Sequence, residues 1–182
     1  MDFINTFKSK SGKEIKVRYS TVNDLQTITD FMNKVSKEKT FIRFQGEEIK
    51  LEDEKKWLES TIERIKNKEK IYLMAFDGSK LVGTSDIEMG SLSRKHVGTF
   101  GIIIDNKYRG EGIGKALTSL VISEAKNNLS NLKIIILEVF ANNYIAQDLY
   151  KKIGFIEYGR LPKGSKRKAK FIDEILMYKN IK

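Results

Sequence analysis

A glycine-rich turn is the segment of this sequence whose composition most clearly suggests a binding site. Residues 108–115 are Tyr-Arg-Gly-Glu-Gly-Ile-Gly-Lys, between an apolar stretch and a segment with helical spacing. The glycine spacing differs from the dinucleotide fingerprint, and Ala116 stands where a P-loop has serine or threonine. Backbone N–H groups at the start of a helix attract anions, and glycines let a diphosphate approach them. The turn therefore predicts an anion site, with Arg109 and Lys115 adding positive charge.

The side chains that are missing narrow the chemistry further. The sequence has no cysteine and one histidine, His96. Thiolate nucleophiles, Cys-based metal sites and two-histidine metal signatures are therefore excluded, and we expect no metal. No G-x-S-x-G elbow is present, which argues against a serine hydrolase. Any chemistry must use carboxylates, hydroxyls, a tyrosine, amines or the backbone.

Two side chains are the main candidates for a general base. On a strand over 133–140, alternation places Glu138 on one face with apolar residues. A carboxylate in such surroundings is expected to have a raised pKa, which suits a base. His96 opens the strand before it, and an ordinary histidine pKa of about 6.5 also suits base catalysis. Asp86 and Glu88 are further carboxylates, and each of these residues also has a purely structural alternative.

The rest of the sequence predicts the elements that position these groups. Alternating or apolar runs predict strands, and apolar spacing near 3.6 residues predicts helices, in the order β-α-α-β-β-β-α-β-α-β-β. The predicted strands are 14–19, 71–76, 81–89, 97–104, 133–140, 155–160 and 170–178, and the predicted helices begin near residues 24, 51, 113 and 144. This order predicts a mixed α/β domain with antiparallel strands and, in the second half, parallel crossovers.

The glycine-rich turn and a second block together resemble a known family. Arg109-x-x-Gly112-x-Gly114 matches the (R/Q)-x-x-G-x-(G/A) motif of the Gcn5-related N-acetyltransferases (GNAT). The second block, Leu137-Glu138-Val139 followed by Asn143-x-x-Ala146-x-x-Leu149-Tyr150-x-x-x-Gly154-Phe155, resembles the family pattern L-E-V-x-x-x-N-x-x-A-x-x-L-Y-x-x-x-G-F. The resemblance implies one GNAT-like domain over residues 1–182, with a mixed, mostly antiparallel central sheet flanked by helices.

The resemblance also implies acetyl-CoA as co-substrate and a place for each part of it. Backbone groups of the strand at Ile102, Ile103 and Ile104 would bind the pantetheine arm. The pyrophosphate would lie on the turn formed by Arg109, Gly110, Glu111, Gly112, Ile113, Gly114 and Lys115. Asn143 would contact the pantetheine, although its side chain could equally cap the following helix. Tyr150 would lie near the thioester sulfur as the general acid, with a core tyrosine as the alternative.

The implied activity is acetyl transfer to a primary amine by direct attack in a ternary complex, which a chain without cysteine can perform. Some amino-terminal acetyltransferases of the family use the glutamate matching Glu138 as base, and other branches use the preceding strands. The acceptor stays open between a small amine and a protein amino group. In the family, the connection between the first two helices walls the acceptor side, where Phe41, Phe44 and Gln45 could line a pocket. The alternative function is a non-catalytic acyl-CoA-binding module or a basic RNA- or ribosome-associated module.

Charge and hydropathy bound the partners. The chain has 34 Lys and Arg against 24 Asp and Glu, a net charge of +10. The excess is concentrated in a basic segment at 160–170, which we interpret either as a solvated loop or as a rim that attracts phosphates, nucleic acid or an acidic protein surface. No aromatic RNA-binding pattern or helix-turn-helix signal is present, which argues against a nucleic-acid partner. No apolar run reaches the roughly 18 residues of a membrane span, and no signal peptide is recognisable. We therefore expect a cytoplasmic protein, with a homodimer left open because dimers are frequent in the family.

Overall fold

The computed structural model describes residues 2–167 and 169–181. Its elements follow the predicted order, with one additional strand at the front. The strands are β1 (Asn5–Lys8), β2 (Glu14–Tyr19), β3 (Lys70–Asp77), β4 (Lys80–Met89), β5 (Val97–Ile104), β6 (Ile134–Phe140), β7 (Ile156–Arg167) and β8 (Lys170–Asn180). The helices are α1 (Leu25–Lys37), α2 (Leu51–Lys66), α3 (Ile113–Asn128) and α4 (Tyr144–Ile153).

All eight strands belong to one sheet in the order β1-β2-β3-β4-β5-β6-β8-β7. Every neighbouring pair is antiparallel except β5 and β6, which run parallel because α3 returns the chain across the sheet. The predicted fold class is confirmed: a mixed, mostly antiparallel sheet flanked by helices.

Strand β1 is the element that the sequence does not predict. It pairs antiparallel with β2, with Asn5 opposite Val17, and its residues are mostly exposed. A short edge strand buries little of either face, so its sequence shows no apolar alternation. Its position depends on pairing with β2 rather than on a pattern of its own.

The two faces of the sheet carry different helices. One apolar core lies between the sheet and α3, and it includes Leu73, Leu117 and Ile135. The other core lies between β3, β4 and the pair α1–α2, and it includes Ile28, Leu58 and Met74. Helices α1 and α2 cover the sheet at β3 and β4. The same face of the sheet is not covered by these helices farther along, at β6.

The basic segment at 160–170 is not the loop that we expected. Strand β7 extends to Arg167 and β8 begins at Lys170, so the segment forms the end of a long hairpin. Its pairing is irregular between Leu161 and Ser165 and regular again from Ser165 opposite Ile172. Most of this strand is exposed, so it lacks the apolar alternation that would have predicted it.

Candidate active site

The parallel strands β5 and β6 part in the middle of the sheet. Their pairing covers Val97 opposite Ile134 through Thr99 opposite Ile136. Beyond this point β5 stays paired with β4 up to Ile104, and β6 stays paired with β8 up to Phe140. The facing edges of both strands therefore lack a strand partner, and their backbone groups are available to a ligand.

A cleft of about 580 Å³ occupies this gap. It is lined by Phe41, Ile42, Arg43, Phe44, Asp86, Glu88, Met89, Gly90, Thr99, Phe100, Gly101, Ile102, Ile103, Leu137, Glu138, Val139, Phe140, Asn143, Tyr150 and Glu174. The lining residues come from both faces of the sheet, so the gap connects the α3 side with the α1–α2 side.

Tyr150 reaches the cleft from the α3 side. Its side chain is 7% exposed, and its ring lies edge-on to Phe100 at 5.7 Å between centroids. The ring also packs against Phe155 at 5.9 Å. Burial raises the pKa of Tyr150 to about 12, so the phenol stays protonated at neutral pH. A protonated, rigidly packed phenol that lines the cleft is suited to donate a proton there.

Asp86 reaches the cleft from the α1–α2 side. It lies opposite Gly101 on β5, where a Cβ atom would come within 2.6 Å of the Asp86 Oδ1 atom. The Asp86 carboxylate therefore occupies space that a side chain at position 101 would otherwise fill. Burial raises the pKa of Asp86 to about 6; nearby Lys70 opposes the increase, and Glu88 adds to it. A carboxylate with this pKa is ionised at neutral pH and still basic enough to accept a proton.

Lys70 holds the two carboxylates of β4 together. Its Nζ atom lies 2.7 Å from Glu88 Oε2 and 3.9 Å from Asp86 Oδ2, and its side chain is nearly fully buried. The ammonium also lies 5.2 Å from the centre of the Trp57 ring. This packing fixes the charge beside Asp86.

The glycine-rich turn lies between β5 and α3, as the sequence predicts. Gly110 and Gly112 have φ values of +80° and +82°, which favour glycine. Helix α3 begins at Ile113, so the N–H groups of its first turn have no partner within the helix. Ile113 is fully buried, whereas Gly110 and Gly112 are exposed. The turn has the geometry of an anion site.

Two charged side chains of the turn, Arg109 and Glu111, bind other parts of the protein. Arg109 Nη2 donates to Glu38 Oε2 at 2.8 Å, and Arg109 Nε donates to the Ile104 carbonyl at 3.0 Å. The Glu111 carboxylate accepts from the Ser11 N–H at 2.8 Å, in the β1–β2 turn. These contacts fix the shape of the turn and leave its backbone as the anion-binding part.

Residues 31–155 match the acetyltransferase (GNAT) family. The chain belongs to the GNAT family. This finding confirms the resemblance drawn from the turn and the second block, both of which lie within the matched residues.

Individual relatives agree with this assignment. L-amino acid N-acetyltransferase of Escherichia coli (strain K12) is 32% identical over 106 residues, which is 58% of this chain and 65% of that relative. A GNAT-family acetyltransferase from Streptococcus pneumoniae is 29% identical, with a TM-score of 0.84 over 92% of this chain and 99% of the other. A putative acetyltransferase from Salmonella typhimurium, solved with acetyl-CoA, shares the fold at 16% identity, with a TM-score of 0.79 over 92% and 94% of the two chains.

Within this GNAT fold, several expected site residues meet at the cleft. Tyr150, Asn143, Ile102 and Ile103 line it. The carbonyl of Ile104 accepts a hydrogen bond from Arg109 Nε. Asn143 caps α4, because its Oδ1 atom accepts from the Ala146 N–H at 3.3 Å.

Glu138 lies in the cleft but not in the expected surroundings. Its side chain is 47% exposed, and its Oε2 atom is 2.8 Å from Arg43 Nη2. The prediction of a carboxylate among apolar neighbours is wrong, because α1 and α2 do not cover this face over β6. The role of Glu138 as a base stays a prediction.

His96 lies apart from the cleft. It is exposed in the turn before β5, and its carbonyl accepts from the N–H groups of Lys133 and Ile134. It is not among the residues that line the cleft. In this structure the His96 carbonyl helps to join the turn before β5 to the start of β6.

Asp86 is the residue that sequence reasoning undervalued. A signal was present, because it is an acidic residue in the interior of a predicted strand. What the sequence does not contain is the register that places Gly101 opposite it. Among the described residues, no group of three or more His, Cys, Asp and Glu side chains could hold a metal ion.

The α1–α2 connection forms one wall of the cleft. Phe41 and Phe44 line the cleft, and the Phe41 ring lies 5.8 Å from Phe140. Gln45, which we also expected there, instead donates to the carbonyl of Ile42 at 2.7 Å and stabilises the connection. The guanidinium of Arg167, at the end of the β7–β8 hairpin, lies 4.3 Å from the centre of the Phe41 ring.

Proposed function

We propose that this protein transfers an acetyl group from acetyl-CoA to a primary amine. The observation that carries the proposal is the gap between β5 and β6, which Tyr150 and Asp86 enter from opposite faces of the sheet. One side chain stays protonated and the other ionised at neutral pH. An acid and a base of this kind suit a reaction in which an amine loses a proton and a thiol gains one.

The residues present fit acetyl-CoA. The turn at 109–115 offers backbone donors for the pyrophosphate, and the free edge of β5 offers hydrogen bonds to an amide-containing arm. The thioester supplies the activated acetyl group. In this proposal Tyr150 protonates the departing sulfur, and Asp86 accepts the proton of the acceptor ammonium directly or through water. Glu138 is the rival base in the same cleft.

Acetyl transfer to a panel of primary amines tests the proposal. The purified protein is incubated with acetyl-CoA and with amino acids, polyamines or peptides, and free thiol and acetylated product are measured. We expect thiol release in equal amount to the acetylated amine. CoA binding by calorimetry without transfer to any amine would instead indicate an acyl-CoA-binding module. Loss of both would contradict the cofactor site.

A further inference from the structure

Arg43 is a cation on the wall of the cleft that the α1–α2 connection forms. It lies on the α1–α2 connection, and its Nη2 atom is 2.8 Å from Glu138 Oε2. Glu138 lies two residues beyond Ile136, the last residue of β6 that pairs with β5, so the guanidinium lies beside the beginning of the gap. Among the described residues that line the cleft, Arg43 is basic, and the acidic residues are Asp86, Glu88, Glu138 and Glu174.

Most hydrogen-bond donors of Arg43 have no partner in the described part of the chain. A guanidinium carries donors on three nitrogens, and the hydrogen bond of this side chain there is the one from Nη2 to Glu138. The Arg43 side chain is 84% exposed, so its ion pair with Glu138 contributes little to stability and opens readily. The free edge of the guanidinium is therefore available to a second anion.

The connection that carries Arg43 is held in place from two sides. Arg167 Nε donates to the Lys39 carbonyl at 3.0 Å and its guanidinium stacks on Phe41. Phe41 in turn contacts Phe140 on β6. A guanidinium on a fixed support binds a carboxylate with less loss of conformational entropy than one on a mobile loop.

The rest of this wall is apolar. Phe41, Ile42 and Phe44 line the cleft on either side of Arg43, and Phe41 and Phe44 are more than a third exposed. An acceptor that places an anion on Arg43 would therefore have its remaining surface against aromatic and aliphatic side chains. That arrangement fits a small molecule with an amine, a carboxylate and an apolar group close together.

We propose that the acceptor is a free α-amino acid with an apolar side chain, and that Arg43 recognises its carboxylate. The proposal rests on the acetyltransferase function proposed above and names its substrate class. The amine and the carboxylate of an α-amino acid share one carbon, so the ammonium can face the acidic residues of the cleft while the carboxylate faces Arg43. A peptide amino terminus offers an uncharged carbonyl at this position, which cannot form the bidentate ion pair that a guanidinium forms with a carboxylate.

Three acceptors with the same side chain test the proposal: L-leucine, L-leucinamide and isopentylamine. They differ in carrying a carboxylate, an amide or neither group beside the amine. We expect kcat/KM to be highest for L-leucine. In Arg43→Gln, kcat/KM for L-leucine should fall about 10- to 100-fold, the usual effect of losing a charged hydrogen bond. The values for the other two acceptors should change by less than about threefold, because Arg43 has no carboxylate to bind there.

Lys50→Gln is the matched control, because it removes the same charge from an exposed residue of the same connection that does not line the cleft. This variant should keep the preference for L-leucine. Arg43→Lys should restore part of it, since a lysine keeps the charge but not the planar fork.

The two proposals can fail separately. Acetylation of L-leucinamide or isopentylamine by the native protein as efficiently as L-leucine would overturn the assignment to α-amino acids. An equal loss for all three acceptors in Arg43→Gln would assign Arg43 a structural role and overturn the inference. Failure to acetylate any amine would overturn the acetyltransferase function and this inference with it.

Discussion

Two side chains with opposite protonation preferences meet at one gap in the sheet. Tyr150 is packed by aromatic rings on the α3 side, and Asp86 lies beside Lys70 and Glu88 on the α1–α2 side. Burial raises the pKa of both groups. The higher pKa keeps the Tyr150 phenol protonated at neutral pH, and it makes the Asp86 carboxylate a stronger base. The same physical effect therefore prepares an acid and a base.

The Tyr150→Phe variant tests the acid. The substitution keeps the ring and its contacts with Phe100 and Phe155, so stability and CoA affinity should change little. We expect kcat to fall by about 10²-fold or more, because the proton donor is lost. The loss should shrink with an acyl donor whose thiol is more acidic. A native rate with acetyl-CoA would make Tyr150 a packing residue, and a parallel loss of CoA affinity would make it a cofactor-positioning residue.

The Asp86→Asn variant tests the base. Because the folded pKa of Asp86 is about 6, its ionised fraction rises as pH increases through 6, and kcat/KM of the native protein should rise in the same range. In the variant we expect kcat/KM at pH 7 to fall by about 10²-fold or more and the acidic limb to disappear. Glu138→Gln is the control and should keep the limb. If Glu138→Gln removes the limb and Asp86→Asn does not, Glu138 is the base.

At the scale of elements, the unpredicted hairpin β1–β2 supports the predicted glycine-rich turn. The Lys10 N–H donates to the Glu111 carbonyl at 3.0 Å, and the Ser11 N–H donates to the Glu111 carboxylate. Hydrogen bonds from the side chain and the backbone of Ser11 lower the pKa of Glu111, so its carboxylate stays ionised and keeps the contact at neutral pH. The edge strand thus helps to fix the backbone that would bind the pyrophosphate.

Gly112→Val tests the turn. Position 112 has a φ of +82°, which a β-branched residue adopts only with strain, and its side chain would extend over the start of α3. We expect calorimetric CoA affinity to be lost while the fold remains. Gly78→Val is the matched control, since Gly78 also has a positive φ in the β3–β4 turn with no atom near its Cβ position. Native CoA affinity in Gly112→Val would show that the pyrophosphate lies elsewhere.

At the scale of the whole molecule, charge separates into an acidic cleft and a basic exterior. The net charge is +10, yet four of the five charged residues lining the cleft are acidic. The positive charge includes the β7–β8 hairpin, whose Arg167 contacts the wall of the cleft. A positive exterior attracts a multiply charged anion such as CoA, and acidic groups inside receive an ammonium.

The association rate of CoA tests this effect. We expect the rate constant to fall about 10-fold or more when ionic strength rises from low salt to 0.5 M, because salt screens long-range attraction. Acetylpantetheine, which has the thioester arm without the phosphates, is the control and should show little dependence. A CoA association rate that does not respond to salt would mean that the net charge does not steer the cofactor.

The sequence alone determined the features that depend on neighbours along the chain. The glycine-rich turn, the start of α3 and the cap at Asn143 follow from local backbone geometry, so their residues could be placed correctly. The apolar periodicities likewise predicted four helices and seven of the eight strands. Strand β1 and the extension of β7 escaped prediction, because exposed strands carry no apolar pattern.

Only the tertiary structure decided which side chains share the cleft and in what surroundings. The pKa of Asp86 depends on the register that sets Gly101 opposite it and on Lys70 from the next strand. Glu138 is exposed because α1 and α2 do not extend over β6. Its contact with Arg43 joins two segments that are far apart in the sequence. Protonation and charge pairing are set by burial and by neighbours in space, which spacing along a sequence does not encode.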